Sequence, residues 1–406
     1  MEFNTTLLHG RAVTRYEQGA TLPSIVQSNA FSYQSFEALE RVFAHKAMGY
    51  AYTRIGNPTV AAFAQRLNEL EGGAGAVAAA SGMAAVSMAL LTILSPGDEI
   101  IAPGGLYGGT IDLFGDLTKL GIRTRFVPRM TAEEIEARIT PRTRCIFAEV
   151  ISNPALWVTE LSAVAETAHA HGIPFFVDST TATPYLVRPL SLGADVVIHS
   201  SSKYITGSGD AISGVIVDGG TFPWDLARYP ALEGFERYGK LAFLARLQTD
   251  VLENLGGCLS PVNAWLNVVG LETLGLRMDR ICRNAAALAT ALGELPELRV
   301  NHPTLSAPAL CQRQLRGLGG GILTFRAGSK ERAVRILNSL RYAAIASNIG
   351  DVRTLAIHPA STIFLKNTPS QREAAGVYDD LIRVSVGIED EGDLIEDFVS
   401  AVRQTR

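Results

Sequence analysis

Cysteine is scarce in this chain. The four in 406 residues, Cys145, Cys258, Cys282 and Cys311, are scattered and share no metal-ligand spacing. No metal site is expected from them, and they read as reduced, buried thiols of a cytosolic protein. Concentrated charge is missing too. Charged residues make up 19% of the chain, the net charge is −4, and no basic tract or block of like charge occurs. A nucleic-acid partner therefore has no electrostatic support. No apolar run approaches membrane-spanning length; residues 74–94 come closest, and Ser81-Gly82 interrupts them. The first six residues show no basic stretch followed by an apolar one, so no signal peptide is expected and the cytoplasm is the expected location. Internal repeats and low-complexity segments are also lacking.

What is present is an ordinary globular composition, 47% hydrophobic, in a chain long enough for two or three domains. It is organised around one stretch, Val196-Val197-Ile198-His199-Ser200-Ser201-Ser202-Lys203-Tyr204. The β-branched run reads as a buried strand. A lysine just past its end would be held near the core, where burial disfavours the ammonium. That suits an amine that forms a Schiff base or moves protons. Taken alone, Lys203 also reads as a loop lysine reaching solvent. Upstream, Ile173-Pro174-Phe175-Phe176-Val177-Asp178 is a second buried-strand pattern, ending in an acid. The spacing of Asp178 and Lys203 fits two strands of a parallel sheet joined by a crossover, and ligands sit beyond the carboxyl ends of such strands. Pyridoxal phosphate needs this pair: the lysine holds its aldehyde and the acid keeps its ring nitrogen protonated.

Other polar residues fall at similar places. Residues 1–55 show little helical periodicity before Phe36 and read as an extended arm that lies on something else, often a second subunit. Tyr52 and Arg54 would point to one side of an extended segment and could hold a phosphate; locally Arg54 also reads as a surface arginine. Residues 60–71 read as an amphipathic helix ended by Gly72-Gly73. The strand 76–80 leads through Ser81-Gly82-Met83 into a helix, with Ser81 as cap and Gly82 admitting a ligand to the backbone. Tyr107 stands among four glycines after the strand 99–103, where its ring can lie against a flat cofactor or simply pack on the surface. Asn153 follows the strand 144–150 and can bond a ring substituent or form an Asx turn. Strand and helix alternate from about 74 to 217, which predicts an α/β, mostly parallel doubly wound sheet. After Leu255-Gly256-Gly257 the pattern changes to a long helical stretch over 263–292 and a smaller α+β domain. Arg383 opens a strand there, placed to bind a carboxylate or to sit on the surface. The expected divisions are an arm over 1–55, a large cofactor-binding domain over 56–255 and a C-terminal domain over 256–406.

Six motifs in register now carry a resemblance. Tyr52-Thr53-Arg54-Ile55-Gly56-Asn57-Pro58-Thr59, Ser81-Gly82-Met83-Ala84-Ala85, Tyr107-Gly108-Gly109-Thr110, Val177-Asp178-Ser179-Thr180, Ser200-Ser201-Ser202-Lys203-Tyr204 and Arg383-Val384-Ser385-Val386-Gly387-Ile388-Glu389 resemble the Cys/Met-metabolism (trans-sulfuration) pyridoxal-phosphate enzymes. Gly257–Pro261, Gly270–Leu274 and the run from Asn348-Ile349-Gly350-Asp351 to Thr362 are similar to O-acetylhomoserine sulfhydrylases. The resemblance implies fold type I, the aspartate-aminotransferase-like fold, and pyridoxal 5'-phosphate as cofactor. It implies Lys203 as Schiff-base lysine, Asp178 at the pyridinium nitrogen and Tyr107 stacked on the ring. The phosphate would be held by Gly82 and Met83 amides, with Ser81 in the same turn, and by Ser200 and Ser202 hydroxyls. Tyr52 and Arg54 would reach the phosphate of a neighbouring subunit. Asn153 would contact the ring hydroxyl. Arg383, Ser347, Asn348 and Tyr52 would face the amino-acid substrate. A homotetramer built from pairs of dimers with shared sites is implied, as is a sulfur nucleophile for the second substrate.

Three positions depart from the family pattern. Gly109 stands where methionine γ-lyases carry a cysteine. Gly207-Ser208-Gly209-Asp210 replaces a Gly-His. Phe364 stands where many members have a histidine, in a segment that by resemblance lies near the substrate entrance. A γ-lyase of the same family or a specialised γ-substitution with another nucleophile are the alternatives to sulfhydrylation.

Overall fold

The computed structural model describes residues 1–13, 16, 19–44 and 46–405. Seven strands form one sheet: β1 (Gly75–Ala79), β2 (Glu99–Pro103), β3 (Arg123–Val127), β4 (Thr143–Glu149), β5 (Phe175–Asp178), β6 (Val196–His199) and β7 (Gly214–Asp218), in the order β1-β7-β6-β5-β4-β2-β3. Strands β2 to β6 run parallel to one another. Successive residues alternate between two cores. Ile101, Ile146, Ala148, Phe175 and Val177 enter one layer; Ile100, Cys145, Phe147 and Phe176 enter the other. With both faces covered, every position must be apolar, which is why these strands read as unbroken hydrophobic runs. Each fully buried Phe, Ile or Val contributes about 1.5–3 kcal/mol.

The exception to the parallel pairing is β7. Strand β7 runs antiparallel to both β6 and β1. A buried apolar run carries no sign of its direction; the connection sets it, and residues 200–213 contain no crossover helix. The antiparallel return brings Ser213 back beside Ser201 and Ser202, so the turn that follows β6 is braced by the start of β7.

Helices cover the sheet. In α3 (Pro58–Glu71), the Asn57 side chain accepts the amides of Thr59 and Val60, Pro58 fills the first position and Gly72 closes the end with φ 79°. Helix α4 (Gly82–Leu91) starts beyond β1 and α5 (Gly108–Leu117) beyond β2. A second sheet holds β8 (Arg299–Asn301), β9 (Ile322–Arg326), β10 (Ala344–Ile345), β11 (Leu355–Ile357) and β12 (Leu381–Ser385), in the order β10-β11-β12-β9-β8. Leu288, Leu292, Phe325, Val384 and Phe398 join it to the helices Leu274–Gly293 and Glu391–Gln404.

Three expectations change. The helix read over 263–292 is two, Pro261–Glu272 and Leu274–Gly293, with a break at Thr273. The start of the arm is not extended. Phe3–His9 forms α1, which buries Leu7 and sets the Phe3 ring edge-on to Tyr185 at 5.2 Å. Seven residues are too few for a helical period to show. Helix α2 (Phe36–Phe43), by contrast, buries none of its residues. All four cysteines are free thiols, and Cys258 is only partly buried.

Candidate active site

The turn after β6 positions the lysine. The Lys203 amide donates to the Ser200 carbonyl and its carbonyl accepts from Gly207. The turn is locked from two sides. Ser201 Oγ donates to Ser213 Oγ at 2.7 Å, and Arg277, itself buried, spreads its guanidinium over the carbonyls of Tyr204, Ile205 and Gly270. A Cβ at Gly207 would strike that guanidinium, so the glycine at this departure point is required; Ser208 beside it is exposed. The Lys203 side chain reaches the loop between β10 and β11, where Nζ donates to Asn348 Oδ1 at 2.6 Å. Burial, with the Arg383 guanidinium adding to it, holds the amine below the ordinary lysine value.

Arg383 lies in the middle of β12, not at its start, and is buried rather than on the surface. Its Nη2 donates to the carbonyls of Ser347 and Asn348, and its Nη1 to Asn153 Oδ1 at 3.3 Å. Nε has no partner. Burial lowers its pKa to about 10. One buried cation thus ties Asn153, Ser347, Asn348 and, through Asn348, Lys203.

At the start of α4, Ser81 Oγ accepts the Ala84 amide at 3.0 Å and caps the helix. The amides of Gly82 and Met83 belong to the first turn, which has no intrahelical acceptor. A Cβ on Gly82 would lie 2.7 Å from Ser200 Oγ. The bare helix start and the Ser200 hydroxyl therefore form one polar cradle, the arrangement that receives a phosphate. Ser202 was expected in it and is turned elsewhere. Its hydroxyl donates to the Ser213 carbonyl at 2.9 Å and accepts the Ser213 amide at 2.8 Å, so in this conformation it has no proton left for a phosphate.

Asp178 ends β5, and its Oδ1 accepts the Thr180 amide at 2.8 Å. Burial raises its pKa, while Thr180 and the nearby His199 pull the other way. Sequence reasoning passed over its neighbour. Glu149 ends β4 in register with Asp178 and is buried. Its Oε1 accepts the Tyr107 amide at 2.7 Å and its Oε2 the Asn153 amide at 3.2 Å. The available signal was an acid closing an apolar run, residues 145–148, the pattern that singled out Asp178. The Tyr107 ring is half-exposed, and a Cβ on Gly109 would come 2.6 Å from it. Phe364, read as an entrance residue, is instead fully buried with Ala360, Ala375 and Val377, and its ring packs toward Gly108. It anchors its own segment and does not present its ring to solvent.

Tyr52 and Arg54 are not brought to this centre within one chain. Their side chains pair with each other, Arg54 Cζ 5.6 Å from the Tyr52 ring centroid, and Arg54 donates to the Glu253 carbonyl. Both stand exposed.

The family model for Cys/Met metabolism PLP-dependent enzymes matches residues 4–403. The chain belongs to the Cys/Met metabolism PLP-dependent enzymes. It is 40% identical to O-acetyl-L-homoserine sulfhydrylase 1 of Thermus thermophilus, over 97% of this chain and 98% of that one. It is 38% identical to homocysteine synthase of Schizosaccharomyces pombe, over 98% of both. Its structure resembles that of a Campylobacter jejuni protein assigned as an O-acetylhomoserine (thiol)-lyase, with a TM-score of 0.93, 32% identity and coverage of 99% and 100%; that crystal contains N'-pyridoxyl-lysine-5'-monophosphate. The fold is accordingly that of the type I pyridoxal-phosphate enzymes, and pyridoxal 5'-phosphate is the cofactor. The residues of this family member fit it: a lysine amine held below its ordinary pKa, a carboxylate across from it on the next strand, and a cradle at Gly82 and Ser200 that a Cβ would fill.

Proposed function

We propose that this enzyme catalyses γ-replacement on an O-activated homoserine, O-acetyl-L-homoserine foremost. Sulfide or a thiol takes the place of the acyloxy group at Cγ, giving homocysteine or a methionine-type product and a carboxylic acid. One observation carries the site assignment: the Lys203 amine, held on Asn348 Oδ1, sits beside a buried arginine with an unpartnered Nε. The similarity to sulfhydrylases over nearly the whole length of each chain supports the substrate.

When bound, pyridoxal phosphate supplies an aldehyde for the substrate amine and a ring that draws electrons from Cα. The chain's own residues do the rest. Lys203, with its pKa held down by burial and by Arg383, is the base that takes the Cα proton and passes protons onward. Asn348 keeps its amine within the site. Arg383, braced by the carbonyls of Ser347 and Asn348, holds the substrate carboxylate together with Ser347, and Asp178 serves the ring nitrogen. Gly82, Met83 and Ser200, with Ser81 fixing their turn, hold the phosphate. Tyr107 covers the ring and assists departure of the leaving group, and Asn153 contacts the ring hydroxyl. Tyr52 and Arg54 serve the site of a second copy, within a cytoplasmic homotetramer of paired dimers. The uncovered α2 and the exposed Tyr52–Arg54 pair support that assembly.

Gly109 favours replacement over the γ-lyase reading. The Tyr107 ring occupies the space that a side chain at 109 would need. The deciding experiment gives the enzyme O-acetyl-, O-succinyl- and O-phosphohomoserine, each with and without sulfide or methanethiol. Thiol-dependent product from the acetyl ester is expected. Keto acid and ammonia released at equal rate without any thiol would overturn the proposal in favour of the lyase.

A further inference from the structure

Glu149 is a buried acid with no place in the chemistry described so far. It ends β4 one strand away from Asp178, and the two carboxyl groups project from paired positions at the carboxyl edge of the sheet. Its two oxygens go to two different loops. Oε1 takes the backbone amide of Tyr107, at the start of α5, and Oε2 takes that of Asn153, beyond β4. Those loops carry the ring-covering phenol and the amide that Arg383 grips. A neutral backbone cap would serve either loop alone. A carboxyl group offers two separate oxygens, one for each amide donor.

We propose that Glu149 is a positioning residue: its carboxyl clamps the Tyr107 and Asn153 loops to each other and holds both beside Asp178. The clamp fixes where the Tyr107 ring can lie, because the ring's own backbone nitrogen is tied down. It also places a second acid next to Asp178, so the charge at the ring-nitrogen position depends on both groups. The charged and titratable neighbours of this pair are His199 on β6 and Arg383 on β12, reached through Asn153. Burial and the Asp178 charge both work against a second negative charge on Glu149.

Glu149→Gln tests this in the cofactor-loaded enzyme. The amide keeps the shape and one acceptor but turns an NH2 toward one of the two backbone amides. Three quantities are read: kcat and KM, the visible absorbance of the lysine-bound cofactor against pH, and the melting temperature. The expected result is a kcat lower by about tenfold or more, from a misplaced ring, with KM within about twofold and a displaced pH midpoint of the visible band. A merely structural glutamate would lower the melting temperature and leave the band and kcat alone; that result overturns the proposal. Should the glutamine variant fail to fold, Glu149→Asp replaces it. It keeps the charge but is too short to span both amides, so kcat should fall while the pH midpoint stays put. A wild-type kcat in that variant also overturns the proposal. The inference rests on the reading that Tyr107 and Asp178 flank the cofactor. Wild-type protein that gave no visible band would sink that reading, whereas a variant indistinguishable from wild type sinks only the clamp.

Discussion

At Gly82 a single hydrogen atom keeps the start of α4 clear of Ser200. A Cβ at this position would lie 2.5 Å from Ser200 Cβ and 2.9 Å from its Cα, and the backbone of Ser200 cannot give way cheaply because Thr180 Oγ1 holds its amide at 2.8 Å. Gly82→Ala therefore pushes the first turn of α4 off the Ser200 hydroxyl. One charge-assisted hydrogen bond to the phosphate is lost, worth about 1.5–3 kcal/mol. The dissociation constant for pyridoxal phosphate should rise by about tenfold to a hundredfold, measured by titrating the apoprotein and following the visible band. An unchanged constant would show that the phosphate sits elsewhere. Residues of this kind were legible in the sequence. Gly82, Ser200, Asp178 and Lys203 each follow an apolar run, and the run itself announces the strand end. Arg383 was harder. Its partners Asn153, Ser347 and Asn348 are distant in the chain or offer only carbonyls, so nothing local distinguishes a buried, shared guanidinium from one on the surface.

At the scale of elements, the strand ends that carry the candidate site residues were readable and the direction of β7 was not. Its antiparallel course has a consequence at the opposite edge of the sheet. There β7 ends in Asp218, paired with Val196 and next to Asp195. Asp218 is 2% exposed; Oδ1 accepts the Gly220 amide at 2.9 Å and Oδ2 is unpartnered. Burial, with Asp195 adding to it, pushes its pKa up from 3.8 to about 7. Between those two values the unfolded chain is ionised here and the folded chain is not. Folding then binds a proton, and the stability from this group falls as pH rises through that window and is level above it. Asp218→Asn keeps the oxygen that faces Gly220 and removes the penalty. The holoenzyme variant should be more stable than wild type by up to about 4 kcal/mol at pH 8, and by about a third of that at pH 5. Thermal unfolding at the two pH values checks it, with kcat unchanged because the residue lies across the sheet from Lys203. An equal gain at both values would show that Asp218 does not titrate in this range.

At the scale of the whole molecule, the arm poses the question. One end of it is fastened by α1, while α2 lays Phe36 and Phe43 open and Met48 follows fully exposed. Tyr52 and Arg54 come next, paired with each other and away from Lys203. A helix that buries none of its residues among those described, leading into an exposed tyrosine–arginine pair, is what a two-fold dimer with exchanged residues would leave in each copy. Sequence alone shows the motif but not whose site it serves, since both arrangements place the same residues in the same order. Mixing two dead variants distinguishes them. Lys203→Ala and Arg54→Ala copies are each expected to lose nearly all activity. In a hybrid pair with exchanged arms, one site carries both lesions and the other carries neither. Random pairing after dissociation and reassembly then restores about a quarter of the wild-type rate. If each site were built from one chain, every site in the hybrid would carry one lesion and no activity would return. Hybrids recovered by differential tagging, shown to be paired by sedimentation and still inactive, would place Arg54 outside the shared site and leave the open face of α2 to some other contact.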